Sequence, residues 1–370
     1  MGKTFHNPFN YGSDPFAMLA PDGYYYILCS GWLFYRTKDL VNLEPLGKAV
    51  EPGEDDWFYG GSSAPEIYHF GDKYYIFHTT EAKDNPYDEL ENRKIGVLVS
   101  EKPEGPYRDL LGRPLYDPGY CVIDINVYEE NGKYWLYWAH SCYHHPVGPN
   151  DYEESWIYGA EMKPDFTGII GEPKLMVRPC QEWENHSVKL HKRRWNEGPF
   201  VFKHNDTYYM TFSGNTFEDY GVGYATAPTP LGPWTKAEEN PILQPEDGKG
   251  IYAPGHNSFI HSKDGKEFFM VYHMITDVPF NDPATPVLER RKSANFMGDL
   301  LKGEVDENGL PKDGYALQHW PGYADEFMRT VPVKDRGRKI AIDRVHFTED
   351  GKLVLEGPTV TDQPFPSGNE

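Results

Sequence analysis

Apolar and polar positions along this chain alternate in short runs, and one pattern recurs: an apolar run, a two-residue polar turn, then a run crowded with aromatics. Five copies occur. The turns and the runs after them are Asp22-Gly23 with residues 24–30, Gly71-Asp72 with 73–79, Asn131-Gly132 with 133–139, Asn205-Asp206 with 207–213, and Asp264-Gly265 with 266–273. Asn-Gly and Asp-Gly adopt the positive φ that tight hairpins require, so each copy predicts a β-hairpin. The second strands are nearly continuous in apolar residues, as expected where sheets are covered on both faces.

A third strand follows each hairpin, at 33–37, 95–100, 157–161 and 220–226, with a segment after Met274 in the fifth copy. Gly-Pro turns close two of the units, at Gly105-Pro106 and Gly232-Pro233. The unit is three or four antiparallel strands in roughly sixty residues, within the range of a propeller blade. Five units predict an all-β fold, a five-bladed β-propeller forming one domain over residues 1–370. A stacked two-sheet sandwich would explain the strands but not five equal units. The stretch 276–333, rich in Pro, Gly and charge, reads as a long loop insertion, and 338–359 regains strand character and is expected to close the ring.

Composition narrows the partners. A formal net charge of -21 excludes nucleic acid and anionic membrane as expected ligands, since both need clustered Lys and Arg. No apolar run spans a bilayer and the amino terminus lacks the apolar core of a secretory signal, so a cytoplasmic protein is expected. Cys29, Cys121, Cys142 and Cys180 form no CxxC pair and read as free thiols, and no second ligand pair at zinc spacing follows Cys142, His144 and His145.

In a propeller the first strand of each blade lines the central channel, so residues at the starts of those strands converge. They are Asp14, Glu66, Asp124, Glu197 and His256. Four carboxylates around one axis repel unless something uses them, and such crowding keeps one carboxyl group protonated near neutral pH. One protonated acid and one ionised base are what glycosidic bond cleavage needs. Asp124, set in an apolar strand, is the hardest to explain structurally, because an unpaired buried carboxylate costs several kcal/mol.

With these residues in place, the chain resembles glycoside hydrolase family 43, the inverting arabinofuranosidases, xylosidases and arabinanases built on five-bladed propellers. The resemblance covers about 7–275 and the tail around Gly337-Arg338 and Glu356-Gly357-Pro358. It implies that Asp14 is the general base, Asp124 the carboxylate that tunes and orients the acid, and Glu197 the general acid. It further implies that His256 lies beside a calcium or sodium ion near the channel centre, with no organic cofactor. The chain departs from the family pattern at Ile125, where Pro is common, and at Ser63, where Trp is common.

Sugars stack on aromatic rings, which makes Trp32, Trp57, Phe58, Trp138 and Trp195 candidate subsite walls. Glu66 and Arg338 are further candidates to bind substrate, with Arg290 and Arg291 competing for the arginine's role. The implied activity is an exo-acting, inverting release of L-arabinofuranose from imported plant oligosaccharides. The alternatives are a β-xylosidase, a non-catalytic sugar-binding propeller and a protein-interaction platform.

Overall fold

The computed structural model describes residues 3–85, 92–141, 153–185, 193–215, 219–282, 333–335 and 337–369. After a short strand β1 (Thr4–Phe5), the first blade is built from β2 (Phe16–Leu19), β3 (Tyr25–Leu28), β4 (Leu33–Thr37) and β5 (Glu44–Lys48). The second is β6 (Phe58–Phe70), β7 (Lys73–Ala82), β8 (Arg93–Ser100) and β9 (Arg108–Asp109). Blade three comprises β10 (Val122–Glu130), β11 (Lys133–His140), β12 (Glu153–Met162) and β13 (Ile169–Val177). Blade four comprises β14 (Arg193–His204), β15 (Thr207–Gly214), β16 (Gly221–Ala227) and β17 (Thr235–Lys236). A parallel pairing of β12 with β14, Glu154 opposite Arg194 and Ser155 opposite Trp195, joins these two blades edge to edge.

The fifth blade differs from the expectation. The second strand, β19 (Phe268–Ile275), which pairs with β18 (Tyr252–His261), runs through Met274, and among the described residues no strand starts between Ile275 and Lys339. The third and fourth strands come from the tail instead, as β20 (Lys339–Phe347) and β21 (Leu353–Leu355). The expected loop at 276–333 lies mostly outside the described residues. The ring closes where 9–12 run along β20, with Phe9 N–H donating to Ile340 O at 3.0 Å and Gly12 N–H to Arg338 O at 3.0 Å. β1 then pairs with a last strand, β22 (Gln363–Pro364).

The doubly covered strands have a direct structural cause. Alternate residues of a strand face opposite sides, so Tyr25 and Ile27 of β3 pack against Val271 and Ile342 of blade five, while Tyr26 and Leu28 pack against Ile67 and Ile76 of blade two. Comparable apolar clusters fill the interfaces of blades two and three, three and four, and four and five. Among the described residues no helix is long and apolar enough to cross a membrane.

Candidate active site

The five innermost strands share one irregularity. In each, two residues stand opposite a single residue of the second strand, and the first of the two has positive φ: Asp14 (54°), Ala64 (38°), Asp124 (57°), Gly198 (58°) and His256 (41°). In blade one this bulge follows the bond from Ser30 N–H to Ser13 O. Bulges with a left-handed first residue bend the strand and re-aim its side chain. Here they turn three polar side chains, Asp14, Asp124 and His256, toward one another.

This register corrects the sequence alignment of the five strands. Glu197 sits one residue before the bulge of its blade and Glu66 two residues after, in line with Asn126. Glu66 is 4% exposed and accepts bonds from Tyr68 OH and from Asn126 Nδ2 (3.2 Å), while Asn126 Oδ1 accepts from Val201 N–H at 2.9 Å. Burial pushes the Glu66 carboxyl well above the usual range, against those bonds. It belongs to a polar plug that ties blades two, three and four together, not to a sugar-contacting surface.

Around the bulges the polar contacts are dense. Asp14 Oδ2 accepts a 2.5 Å bond from Ser30 Oγ, which itself accepts from Ala64 N–H at 2.8 Å. Arg338 Nη1 donates to Asp14 Oδ1 at 3.3 Å. The His273 Nδ1 accepts the Asp14 N–H at 3.0 Å, so this ring carries its proton on Nε2. The His256 Nδ1 lies 3.5 Å from Asp14 Oδ1 and 3.7 Å from Asp124 Oδ2. Burial lowers the pKa of His256, despite the opposing pull of Asp14, and holds the ring neutral.

Asp124, 5% exposed, accepts the Gly198 N–H at 3.1 Å. Burial pushes its carboxyl well up, and the charges of Glu197 and Asp14 push the same way. Carboxyl groups that repel when ionised together retain a proton among them. Glu197 is half-buried, and its Oε1 accepts from Tyr220 OH at 2.7 Å. Burial raises the Tyr220 pKa, so the phenol stays a donor, and its ring stacks on His273 and under the Arg338 guanidinium. Gly198 is required twice over: its φ is left-handed, and a Cβ there would stand 3.0 Å from His256 Nδ1.

Of the expected site residues, Asp14, Asp124, Glu197, His256 and Arg338 converge. Three of the five aromatic walls do not. Trp32, Phe58 and Trp138 are 1%, 1% and 0% exposed and fill interblade core, because each blade interface needs large apolar surfaces. Trp32 Nε1 donates to Gly60 O and Trp138 Nε1 to Tyr120 OH. Trp195 is 6% exposed in its strand, and the half-buried Trp57 stacks on His78. Arg290, Arg291 and the Cys142, His144 and His145 group lie outside the described residues.

Sequence reasoning missed Ser30, Ser213, Tyr220 and His273. A signal existed: Ser30, Ser213 and His273 are the polar last residues of three of the aromatic runs read from the sequence, and they stand opposite Ser13, Glu197 and Gly255. Trp183, with Asn215, Asp219 and Gln244, lines a cleft of about 260 Å³ beside the β15–β16 pair. Its ring packs over Gly214, where a Cβ would meet it at 2.5 Å, and Gly214 faces Asn196, the neighbour of Glu197. Among the described residues no group of three or more His, Cys, Asp or Glu is arranged to hold a metal ion.

The family model described as glycosyl hydrolases family 43 matches residues 5–292. The chain belongs to glycosyl hydrolase family 43. A β-D-galactofuranosidase of Aspergillus niger is 32% identical over 58% of the chain, and an extracellular exo-α-(1→5)-L-arabinofuranosidase of Streptomyces avermitilis 27% identical over 76%. The chain spans 57% and 59% of these relatives' lengths. A solved thermostable family-43 glycoside hydrolase matches with a TM-score of 0.75 at 30% identity, covering 98% of this chain and 99% of its own. The fold is also that of a solved α-L-arabinofuranosidase from Lactobacillus brevis, TM-score 0.65 at 21% identity, covering 98% and 97% of the two chains.

Proposed function

We propose that the chain is an exo-acting, inverting glycoside hydrolase that releases L-arabinofuranose from arabinan- or arabinoxylan-derived oligosaccharides. The observation that carries this reading is the bulge register, which gathers Asp14 and Asp124 around His256 while Glu197, half-buried under Tyr220, adjoins Asp124. Asp14, oriented by Ser30 and Arg338, takes the proton from the attacking water. Glu197 protonates the leaving oxygen, and Asp124 holds the acid's environment through Gly198. Single displacement of this kind inverts the anomeric centre.

Both relatives above are named for furanosides, and galactofuranose differs from arabinofuranose by one hydroxymethyl-bearing carbon, which favours a furanose in the subsite. A β-xylosidase is the second reading, supported by relatives named as xylosidase/arabinosidase from Bacteroides ovatus and β-xylosidase from Xylanibacter ruminicola. A calcium or sodium ion beside His256 is a separate proposal that rests on family membership, since Asp14 and Asp124 are engaged by Ser30, Arg338 and Gly198. Since calcium takes about six to eight oxygen ligands, water would supply most of them, and one ion per chain after dialysis is the expected elemental analysis.

A panel of 4-nitrophenyl glycosides tests the substrate class. The α-L-arabinofuranoside should be cleaved fastest, ahead of β-D-galactofuranoside and β-D-xyloside; a faster xyloside would replace the reading with the second one. Proton NMR of the first sugar released should show the inverted anomer.

A further inference from the structure

Glu197 begins no isolated turn; the residue before it is locked into a buried ionic network that reaches across the blade. Asn196 is 0% exposed, and its Nδ2 donates to Glu184 Oε1 at 2.7 Å. Its Oδ1 accepts from Lys236 Nζ at 2.6 Å. Lys236 belongs to β17, the outermost strand, and its ammonium crosses over the Phe212 ring at 4.5 Å to reach the innermost one. There it pairs with Glu184 and donates to Arg178 O at 2.8 Å. Glu184, also 0% exposed, closes the network by accepting Cys180 N–H and Gln181 N–H, both at 2.6 Å. Two residues upstream of Asn196, Arg194 pairs with buried Glu154 of blade three.

Such a network is expensive to keep. A buried ion pair seldom outperforms apolar packing, and its best-supported use is to fix one geometry. Neighbouring side chains of a strand point to opposite faces, so pinning Asn196 on one face fixes the direction of Glu197 on the other. Gly198 then ends the straight run with its bulge, leaving the backbone of Glu197 held from both sides.

Resting on the reading of Glu197 as the proton donor, we infer that Lys236, Glu184 and Asn196 are positioning residues that aim this acid at the leaving oxygen. They touch no substrate and act only through the strand. Their loss impairs proton donation while leaving sugar binding and water attack intact.

A leaving-group series separates this role from a structural one. A good leaving group such as 2,4-dinitrophenolate departs without protonation, whereas an alcohol or sugar needs the acid. Wild type, Lys236→Met, Asn196→Ser, the paired Lys236→Met/Glu184→Gln and, as reference, Glu197→Gln would be assayed on dinitrophenyl, nitrophenyl and methyl arabinofuranosides and on an arabino-oligosaccharide. The paired variant removes both buried charges, and Asn196→Ser leaves the ion pair whole, so at least one of the three is expected to fold.

The expected result is kcat lowered about 10- to 100-fold on the alcohol and sugar leaving groups, within about threefold of wild type on the dinitrophenyl substrate, with KM nearly constant throughout. Equal losses on every leaving group, or none in a folded variant, would overturn the inference while leaving the Glu197 assignment standing. If Glu197→Gln itself shows no leaving-group dependence, the acid assignment fails and the network's role fails with it.

Discussion

Gly198 and Asp124 sit at the same bulge position in neighbouring blades and show what that position demands. A left-handed φ costs an ordinary L-residue roughly 1–2 kcal/mol, and at Gly198 an added methyl also meets the His256 ring. Gly198→Ala should therefore lower stability by about that amount and cut kcat/KM by more than about 10-fold, since a small displacement of a catalytic group is costly; thermal melts and steady-state assays check both. Asp124 tolerates the conformation, but burial and its neighbours' charges disfavour its anion. With a folded-state pKa above the unfolded one, the group opposes folding at pH 7. Asp124→Asn keeps the shape and removes the charge, so the melting temperature should rise while activity falls; a lower melting temperature with intact geometry would contradict this account of its burial.

At the scale of elements, the hairpins were legible because their cause is local. Turn dipeptides and aromatic runs located the second strand of all five blades and the third strand of four. The bulges were not legible, because a two-against-one register is set by pairing across strands, and Ala64, Asp124 and His256 carry no shared local signature. Hence Asp14, Asp124 and His256 were aligned correctly, while Glu66 was placed in the sugar site although it lies two residues further along. Trp32, Phe58 and Trp138 failed as walls for a related reason: stacking on a sugar and packing between blades ask for the same residue types, and burial, which separates the two, is not written in the sequence. The cleft beside Trp183 gives a test at this scale. Trp183→Ala should lower stability by about 3 kcal/mol in denaturant titrations, because it empties the space over Gly214 and Phe212, while leaving KM for the nitrophenyl arabinofuranoside nearly unchanged.

The whole molecule is held shut by its termini, and a buried aspartate sits at that seam. Asp343, on the third strand of blade five, accepts from Tyr272 OH (2.6 Å), Thr359 Oγ1 (2.5 Å) and Gln363 Nε2 (3.0 Å), and Asn7 of the amino-terminal segment donates to Ile342 O beside it. Burial raises its pKa to about 6 despite these donors. The folded state thus keeps the proton between about pH 4 and 6 while the unfolded chain has released it, and stability falls through that window as pH rises, by roughly 3 kcal/mol from this one group. In denaturant titrations Asp343→Asn should match wild type near pH 4 and gain on it up to about pH 6; a difference independent of pH would show that the carboxyl is ionised throughout.

Ring closure also explains how residues 324 positions apart meet, since Arg338 enters the site only because the tail supplies a strand to the blade beside Asp14. The proposed reaction requires Asp14 and Glu197 to act as base and acid across one sugar. Its most direct test is kcat/KM on an arabino-oligosaccharide for Asp14→Asn and Glu197→Gln against wild type, with circular dichroism confirming the fold. Each substitution should lower it by about 10³-fold or more; folded variants that both remain within about 10-fold of wild type would contradict the assignment.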